Sequence, residues 1–285
     1  MPGWCCESMI APFVAHGTQI NLYDISFDGS LKCHTDITDD TDVFYVTNYF
    51  GYENTLPLEI VKRFKEKGSI ILYDRTHSML MEEDPYLALA DYSFASIRKW
   101  MGVVAGAVVY GVKDDNLKPY PHLECKERAM RMKKSFIKGD NRIDKQTFLN
   151  FYSEFGHHLV DDYQNYEMDD LSYALYKSED LEAMRRKRRE NAKYLHEHLN
   201  LMTLAPLTDK AVPLFVPVFF DTTEQRNAVR KKLIETQIYC PIHWPKNQMI
   251  TSEMQVNRVF DTELSLICDQ RYDITDMQKI IEIIQ

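Results

Sequence analysis

The chain has 285 residues, 45% hydrophobic and 27% charged, with 34 Lys and Arg against 43 Asp and Glu and a formal net charge of −9. That balance suits a folded protein with a sizeable core, in one large or two modest domains. The lack of an overall basic field argues against nucleic acid as the main partner.

The longest near-apolar run, Met101 to Val112, is too short to span a bilayer and is broken by Gly102, Gly106 and Gly111. The start, MPGWCCESM, has neither the basic nor the apolar part of a signal peptide. A cytoplasmic location with no membrane partner is therefore expected. The six cysteines, none in a C-x-x-C pair, are expected to be reduced and not to hold zinc.

In chain order, Met9 to Ala15 reads as a short helix ended by Gly17, and Gln19 to Ile25 alternates as a strand. Asp36 to Asp42 is an acidic, solvated turn. Val43 to Thr47 is a buried-type strand leading into Asn48-Tyr49-Phe50-Gly51-Tyr52, where Phe50 is expected in the core. Leu56 to Lys67 has helical spacing through Leu58, Ile60, Val61 and Phe64 and stops at Gly68. Ile70 to Tyr73 is a strand closed by Asp74, and strand-helix-strand in this order predicts a parallel sheet. Ala90 to Ala95 and Val103 to Tyr110 are the next strands.

Lys118 to His122, with two prolines, reads as loop; Glu124 to Ile137 and Phe148 to Tyr163 read as helices. His157, His158, Asp161 and Asp162 share helix faces, but no ligand from another segment joins them, so a surface or interface helix is expected and no metal. Ser178 is expected to cap a helix running to about Leu199 through Arg185-Arg186-Lys187-Arg188-Arg189, a basic run expected as a solvated face. Val212 to Phe220 is a strand whose prolines suggest an edge or bulge. Thr222 to Thr236 is a helix, Ile238 to Pro245 a strand, Leu264 to Cys268 a strand and Ile274 to Ile284 a terminal helix.

The stretch from Ser69 to Val112 carries the chemistry. Open α/β sheets gather ligand-binding groups at the carboxyl ends of their strands. Here those ends place Asp74, His77, Ser96 and Lys99 close together in the chain. Pyridoxal phosphate (PLP) chemistry uses such a set: a lysine for a Schiff base, a carboxylate at the ring nitrogen, and hydroxyls for the phosphate. The expected roles are Lys99 as catalytic amine and proton carrier, Asp74 at the ring nitrogen, His77 on the ring and Ser96 on the phosphate.

The segments ILYDRTHS and YSFASIRKWMGVVAGAVV, followed by RRKRRENAKYLHEHL, IYCPIHWP and LSLICDQRYDITDMQKI, resemble the DegT-type sugar aminotransferase family of fold-type I PLP enzymes. The resemblance covers nearly the whole chain in order. It implies an α/β fold with a mostly parallel sheet flanked by helices, a large PLP-binding domain over 1–177, and a connecting helix with a small C-terminal α+β domain over 178–285.

It also implies amino transfer from a donor such as glutamate to a keto group of a nucleotide-linked sugar, a homodimer, and substrate contacts from Tyr49 or Tyr52 and from His243. In many members an aromatic stacks on the cofactor ring. Here Cys6 stands at that position, with Trp4 nearby, which leaves the stacking partner open.

Met1 falls near the family's P-x-aromatic-T position, matched by Pro2-Gly3-Trp4-Cys5. The resemblance therefore implies that the glycine-rich phosphate turn and the helix behind it are absent here, with weaker cofactor binding expected. A non-catalytic PLP-fold partner or regulatory subunit, and a PLP lyase, are the alternatives.

Overall fold

The computed structural model describes residues 1–35, 41–53, 56–113, 116–121, 123–161 and 164–285. Helix α1 (Glu7–Ala15) is followed by an antiparallel hairpin, β1 (Asp24–Phe27) and β2 (Leu31–His34). The strand expected from Gln19 is thus displaced toward the C-terminus and gains a partner that the sequence reading missed. Most of the expected acidic turn, 36–40, lies outside the described residues.

Strands β3 (Val43–Thr47), β4 (Ile70–Asp74), β5 (Tyr92–Ser96) and β6 (Ala107–Tyr110) form one sheet in that order. β3, β4 and β5 run parallel, and β6 returns antiparallel. The mostly parallel α/β sheet expected from the sequence is present. Helix α2 (Leu58–Glu66) makes the first crossover and ends before Gly68, whose φ of 93° a residue with a Cβ rarely adopts. Its Val61 and Phe64 pack on Phe44, Val46, Ile71 and Tyr73. Strand alternation sends Tyr45, Thr47 and Asp74 to the other face.

The short β7 (Lys118–Pro119) pairs with β8 (Tyr166–Glu167) around the hairpin of α3 (Leu123–Ile137) and α4 (Lys145–Asp161). His122, Asp162 and Tyr163 lie outside the described residues. Asp169 caps a separate helix, α5 (Asp170–Ser178). The long α6 (Leu181–His198) is capped by Asp180, which accepts from the Ala183 N–H, and not by Ser178. The acid wins because it adds favourable charge at the positive end of the helix.

Beyond α6, β9 (Met202–Thr203), β10 (Phe215–Phe219) and β11 (Glu263–Ile267) form an antiparallel sheet with β10 in the middle. The prolines suggest an edge or a bulge, but β10 is the central strand. Pro217 is tolerated because its carbonyl, accepting from Leu204 N, points toward β9, a strand only two residues long that asks for few donors. Helices α7 (Thr223–Glu235) and α9 (Ile274–Ile284) cover this sheet, with α8 (Val256–Thr262) leading into β11. The expected strand over Ile238 to Pro245 is absent: the segment is irregular, although Pro241 O still accepts from Ser265 N.

One core unites α6, α7 and α9 through Leu195, Leu233, Met277 and Ile280 with Val216 and Leu264. Two further cores cross between the ends of the chain. One joins Trp4 and Tyr49 to Phe219 and Phe260. The other joins Ile97 and Trp100 to Met184 and Leu214.

The basic run on α6 departs most from expectation. Arg188 is 2% exposed. Its guanidinium lies 4.7 Å from the Trp100 ring centre and donates to Gln270 Oε1, Pro213 O and Leu214 O. Arg185 reaches Leu80 O, and Arg189 reaches Ala211 O. These arginines staple α6 to the rest of the molecule and are not a solvated face. Among the described residues no helix is long and apolar enough to cross a membrane.

Candidate active site

Asp74 ends β4 and is buried, because Tyr45 and Phe94 flank it on the same face of the sheet. One carboxylate oxygen accepts the Tyr45 hydroxyl at 2.9 Å; the other accepts the Thr76 N–H at 2.8 Å. Burial, followed by the Asp74 charge, holds the Tyr45 phenol well above its ordinary pKa, so it stays a donor. Thr76 in turn orients the next strand end: its hydroxyl accepts from Ser96 N, and its carbonyl accepts the Trp100 indole N–H at 2.6 Å. This brings the turn after β5, Ile97–Lys99, beside the end of β4.

His77 is buried, and burial holds its imidazole well below its usual pKa, with Lys99 and His243 pushing the same way. It is therefore neutral. Its Nδ1 accepts the Phe50 N–H at 3.3 Å, so the single ring proton is on Nε2. That nitrogen lies 3.4 Å from Lys99 Nζ. An N–H facing Nζ suits an amine with a free lone pair and not an ammonium.

The surroundings of Lys99 agree. The side chain is exposed along the cleft, yet the walls crowd its amine enough for desolvation to lower its pKa; Arg98 adds to this, while Cys6 and Asp74 oppose it. Lys99 and Asp74 are thus close enough to act on each other.

His243 is 8% exposed and stands 5.7 Å, ring centre to ring centre, from His77 in an edge-on arrangement. Desolvation, then Lys99, pushes its pKa down to about 3, so it too is neutral. Ser96 is half-buried, and no hydrogen bond from its hydroxyl to the described protein is seen. Tyr49 is placed differently from the expected substrate contact. It is 4% exposed, stacked on Trp4, and its hydroxyl is committed to Trp4 O at 2.6 Å. Tyr52 is buried as well, and its hydroxyl meets His196 Nε2 at 2.8 Å.

Sequence reasoning missed Tyr45, Thr76 and Trp244. The Trp244 ring lies stacked 5.6 Å from His77 and 5.9 Å from Lys99 Nζ. Trp4, the aromatic nearest Cys6 in sequence, is fully buried with its indole N–H on His243 O. The aromatic wall of the cleft therefore comes from the far end of the chain. A Trp directly after His243 was the available signal, but the supposed strand hid which of the two faces the cleft. A separate cavity of about 470 Å³, lined by Asn48, Glu53, Met81 and Lys210 among others, contains none of the Lys99 cluster.

The fold is shared with solved aminotransferase structures. The chain is similar to sugar aminotransferase CalS13 from Micromonospora echinospora, at 15% identity and a TM-score of 0.66, over 99% of this chain and 78% of that one. It is also similar to PseC of Helicobacter pylori, an aminotransferase involved in the biosynthesis of pseudoaminic acid, at 15% identity and a TM-score of 0.64, over 99% and 77%. The Spr1654 protein of Streptococcus pneumoniae in its PLP-form matches at 12% identity and a TM-score of 0.66, over 99% and 78%. No protein-family model matches the sequence, and no curated protein matches it. At these identities the likeness is one of fold.

Proposed function

We propose that this chain is a PLP-dependent aminotransferase that moves an amino group from an amino acid such as glutamate to a keto group of a nucleotide-linked sugar. One observation carries the reading: Lys99 Nζ faces the Nε2–H of a neutral His77, within reach of the charge of the buried Asp74 carboxylate. Support also comes from the fold shared with the sugar aminotransferase CalS13 and with the PLP-form of Spr1654.

The donor set fits the cofactor: an amine whose pKa burial lowers, a carboxylate with lone pairs beyond those used by Tyr45 and Thr76, and an uncommitted Ser96 hydroxyl. Bound there, PLP would supply an electron sink for charge developing at a carbon beside an amino nitrogen.

The chain's own residues would do the rest. Lys99 Nζ would hold the cofactor and, when free, carry a proton. Crowding keeps it from being locked as an ammonium. Asp74, fixed by one donor on each oxygen, would pair with the ring nitrogen of the cofactor. Ser96 would donate to the phosphate. His77 and Trp244 would wall the cleft, and His243 would face the substrate side. Tyr49 would act indirectly, by holding Trp4, whose indole N–H donates to the His243 carbonyl.

The chain divides, in this reading, into 1–177, which ends within α5, and 178–285, which carries α6 and the C-terminal sheet. As a PLP enzyme of this fold it would be a cytoplasmic homodimer.

Titrating PLP into the protein tests the proposal. The expected result is an absorbance band of lysine-bound cofactor that disappears in Lys99→Ala, together with turnover of glutamate and a keto sugar nucleotide. No band in the wild type at saturating PLP overturns it. A band without turnover of any amino donor would favour the non-catalytic reading instead.

A further inference from the structure

Behind His243 lies a buried polar chain that the reaction sketched above does not use. β11 alternates so that Glu263 and Ser265, both 0% exposed, point to the same side, toward the irregular segment carrying His243. Glu263 Oε2 accepts the His243 backbone N–H at 2.8 Å. Its Oε1 is 2.5 Å from Ser265 Oγ, and Ser265 Oγ is 2.8 Å from His243 Nδ1. The other ring nitrogen, Nε2, makes no hydrogen bond to the described residues. His243 thus has one nitrogen tied to a buried acid and one left over on an imidazole that packs edge-on against His77.

We propose that Glu263, acting through Ser265, decides which nitrogen of His243 carries the proton, and so whether Nε2 offers a lone pair or an N–H. The inference rests on the aminotransferase reading only for its catalytic use. When Glu263 is a carboxylate, the Ser265 hydroxyl must donate to Oε1. Ser265 Oγ then accepts from His243 Nδ1–H, and Nε2 has a lone pair. When Glu263 is a carboxylic acid, Oε2 still accepts the backbone N–H, so the acid proton sits on Oε1 and donates to Ser265. The hydroxyl then donates to Nδ1, and Nε2 carries the proton.

The two states differ by one proton. A proton entering at Nε2 is matched by the Nδ1 proton passing to Ser265 Oγ and the serine proton passing to Glu263 Oε1. No bond other than these O–H and N–H bonds changes. The imidazole is neutral before and after, and the acquired proton resides on Glu263.

The surrounding charges favour this division of labour. Burial raises the Glu263 carboxyl to about 8, while the bonds from Ser265 and His243 and the Arg226 charge hold it lower than burial alone would. Arg226 touches the Glu263 and Phe260 carbonyls from α7. Arg230 and Asp261 lie beyond Arg226, Cys240 is a neutral thiol, and Lys99 and His77 face His243 across the cleft. Burial disfavours an imidazolium at His243, so a delivered proton moves on toward Glu263. Glu263 and Ser265 are positioning residues in this scheme.

The test is ¹⁵N NMR of histidine-labelled protein without added cofactor, with the His243 signals assigned by their loss in His243→Gln. Across pH 6 to 10, roughly a pair of pH units either side of the Glu263 midpoint near 8, the wild type is expected to change from the Nε2–H to the Nδ1–H tautomer, neutral at both ends.

Glu263→Gln, whose amide N–H₂ mimics the acid by donating to Ser265, is expected to show the Nε2–H tautomer at every pH. Ser265→Ala is expected to lose the pH response. An unchanging wild-type tautomer, an imidazolium at His243, or an unaltered switch in Ser265→Ala would overturn the proposal. A tautomer switch with no lysine–PLP band would refute the aminotransferase reading alone. A band with no switch would refute this relay alone.

Discussion

Replacing Arg188 tests whether the basic run of α6 is structural. Arg188→Ala removes a guanidinium that serves three acceptors, Gln270 Oε1 and the carbonyls of Pro213 and Leu214, and stacks on Trp100 at 4.7 Å. Hydrogen bonds to a charged group are worth about 1.5–3 kcal/mol each, and a desolvated cation–π contact about 2 kcal/mol. These terms do not add, and the desolvation of the arginine itself is recovered on its removal. The net loss expected is about 3–5 kcal/mol, the range for breaking a buried charged network.

Two further variants divide that figure. Arg188→Lys keeps the charge but not the planar fork, so about half the loss should remain. Arg188→Met restores most of the volume but leaves two carbonyls unserved, and should fall between Lys and Ala. Urea unfolding followed by far-UV circular dichroism reads all three through the midpoint at constant slope. Because the Trp100 N–H also fixes the Thr76 carbonyl, the alanine variant should also bind PLP more weakly. An Arg188→Ala loss within about 0.5 kcal/mol, the usual span for surface substitutions, would mean that the run is solvated after all.

Gly51 has φ of 76°, and a Cβ there would stand 2.1 Å from Val212 O and 2.8 Å from His77 O. Gly51→Ala should therefore cost more than about 2 kcal/mol and disturb His77, read by urea unfolding and by PLP affinity. Tyr45→Phe leaves one Asp74 oxygen short of its donor, and a loss of about 2 kcal/mol is expected in the same unfolding assay. Glu263 predicts a pH dependence. Its carboxyl is raised from 4.5 to about 8, so its stabilising protonated form is fully present below about 4.5 and is lost as pH rises toward 8. Relative to Glu263→Gln, wild-type stability should fall by about 1.4 kcal/mol per pH unit between roughly 5 and 8, about 5 kcal/mol at the outside, and then level off. Parallel stability curves for the two proteins would contradict a raised carboxyl.

What could be read from the sequence is what local pattern controls. Ile70 to Asp74 is a strand because an apolar run meets an acid, and α9 spans Ile274–Ile284 because Asp273 caps an amphipathic segment. The neighbourhood of Asp74, His77, Ser96 and Lys99 was legible because two adjacent strand ends carry all four. Local pattern could not say that Arg188 is buried. Its charge reads as solvent-facing, and only the carbonyls of Pro213 and Leu214, brought over by a distant strand, satisfy it. Nor could it place Trp244 beside Lys99 and withdraw Tyr49 into the core, or set Ser265 between Glu263 and His243. Those contacts join residues far apart in the chain, and nothing in the spacing around each one records its partner. A strand's alternation fixes which side a residue faces; what waits on that side is decided only when the rest of the chain packs there.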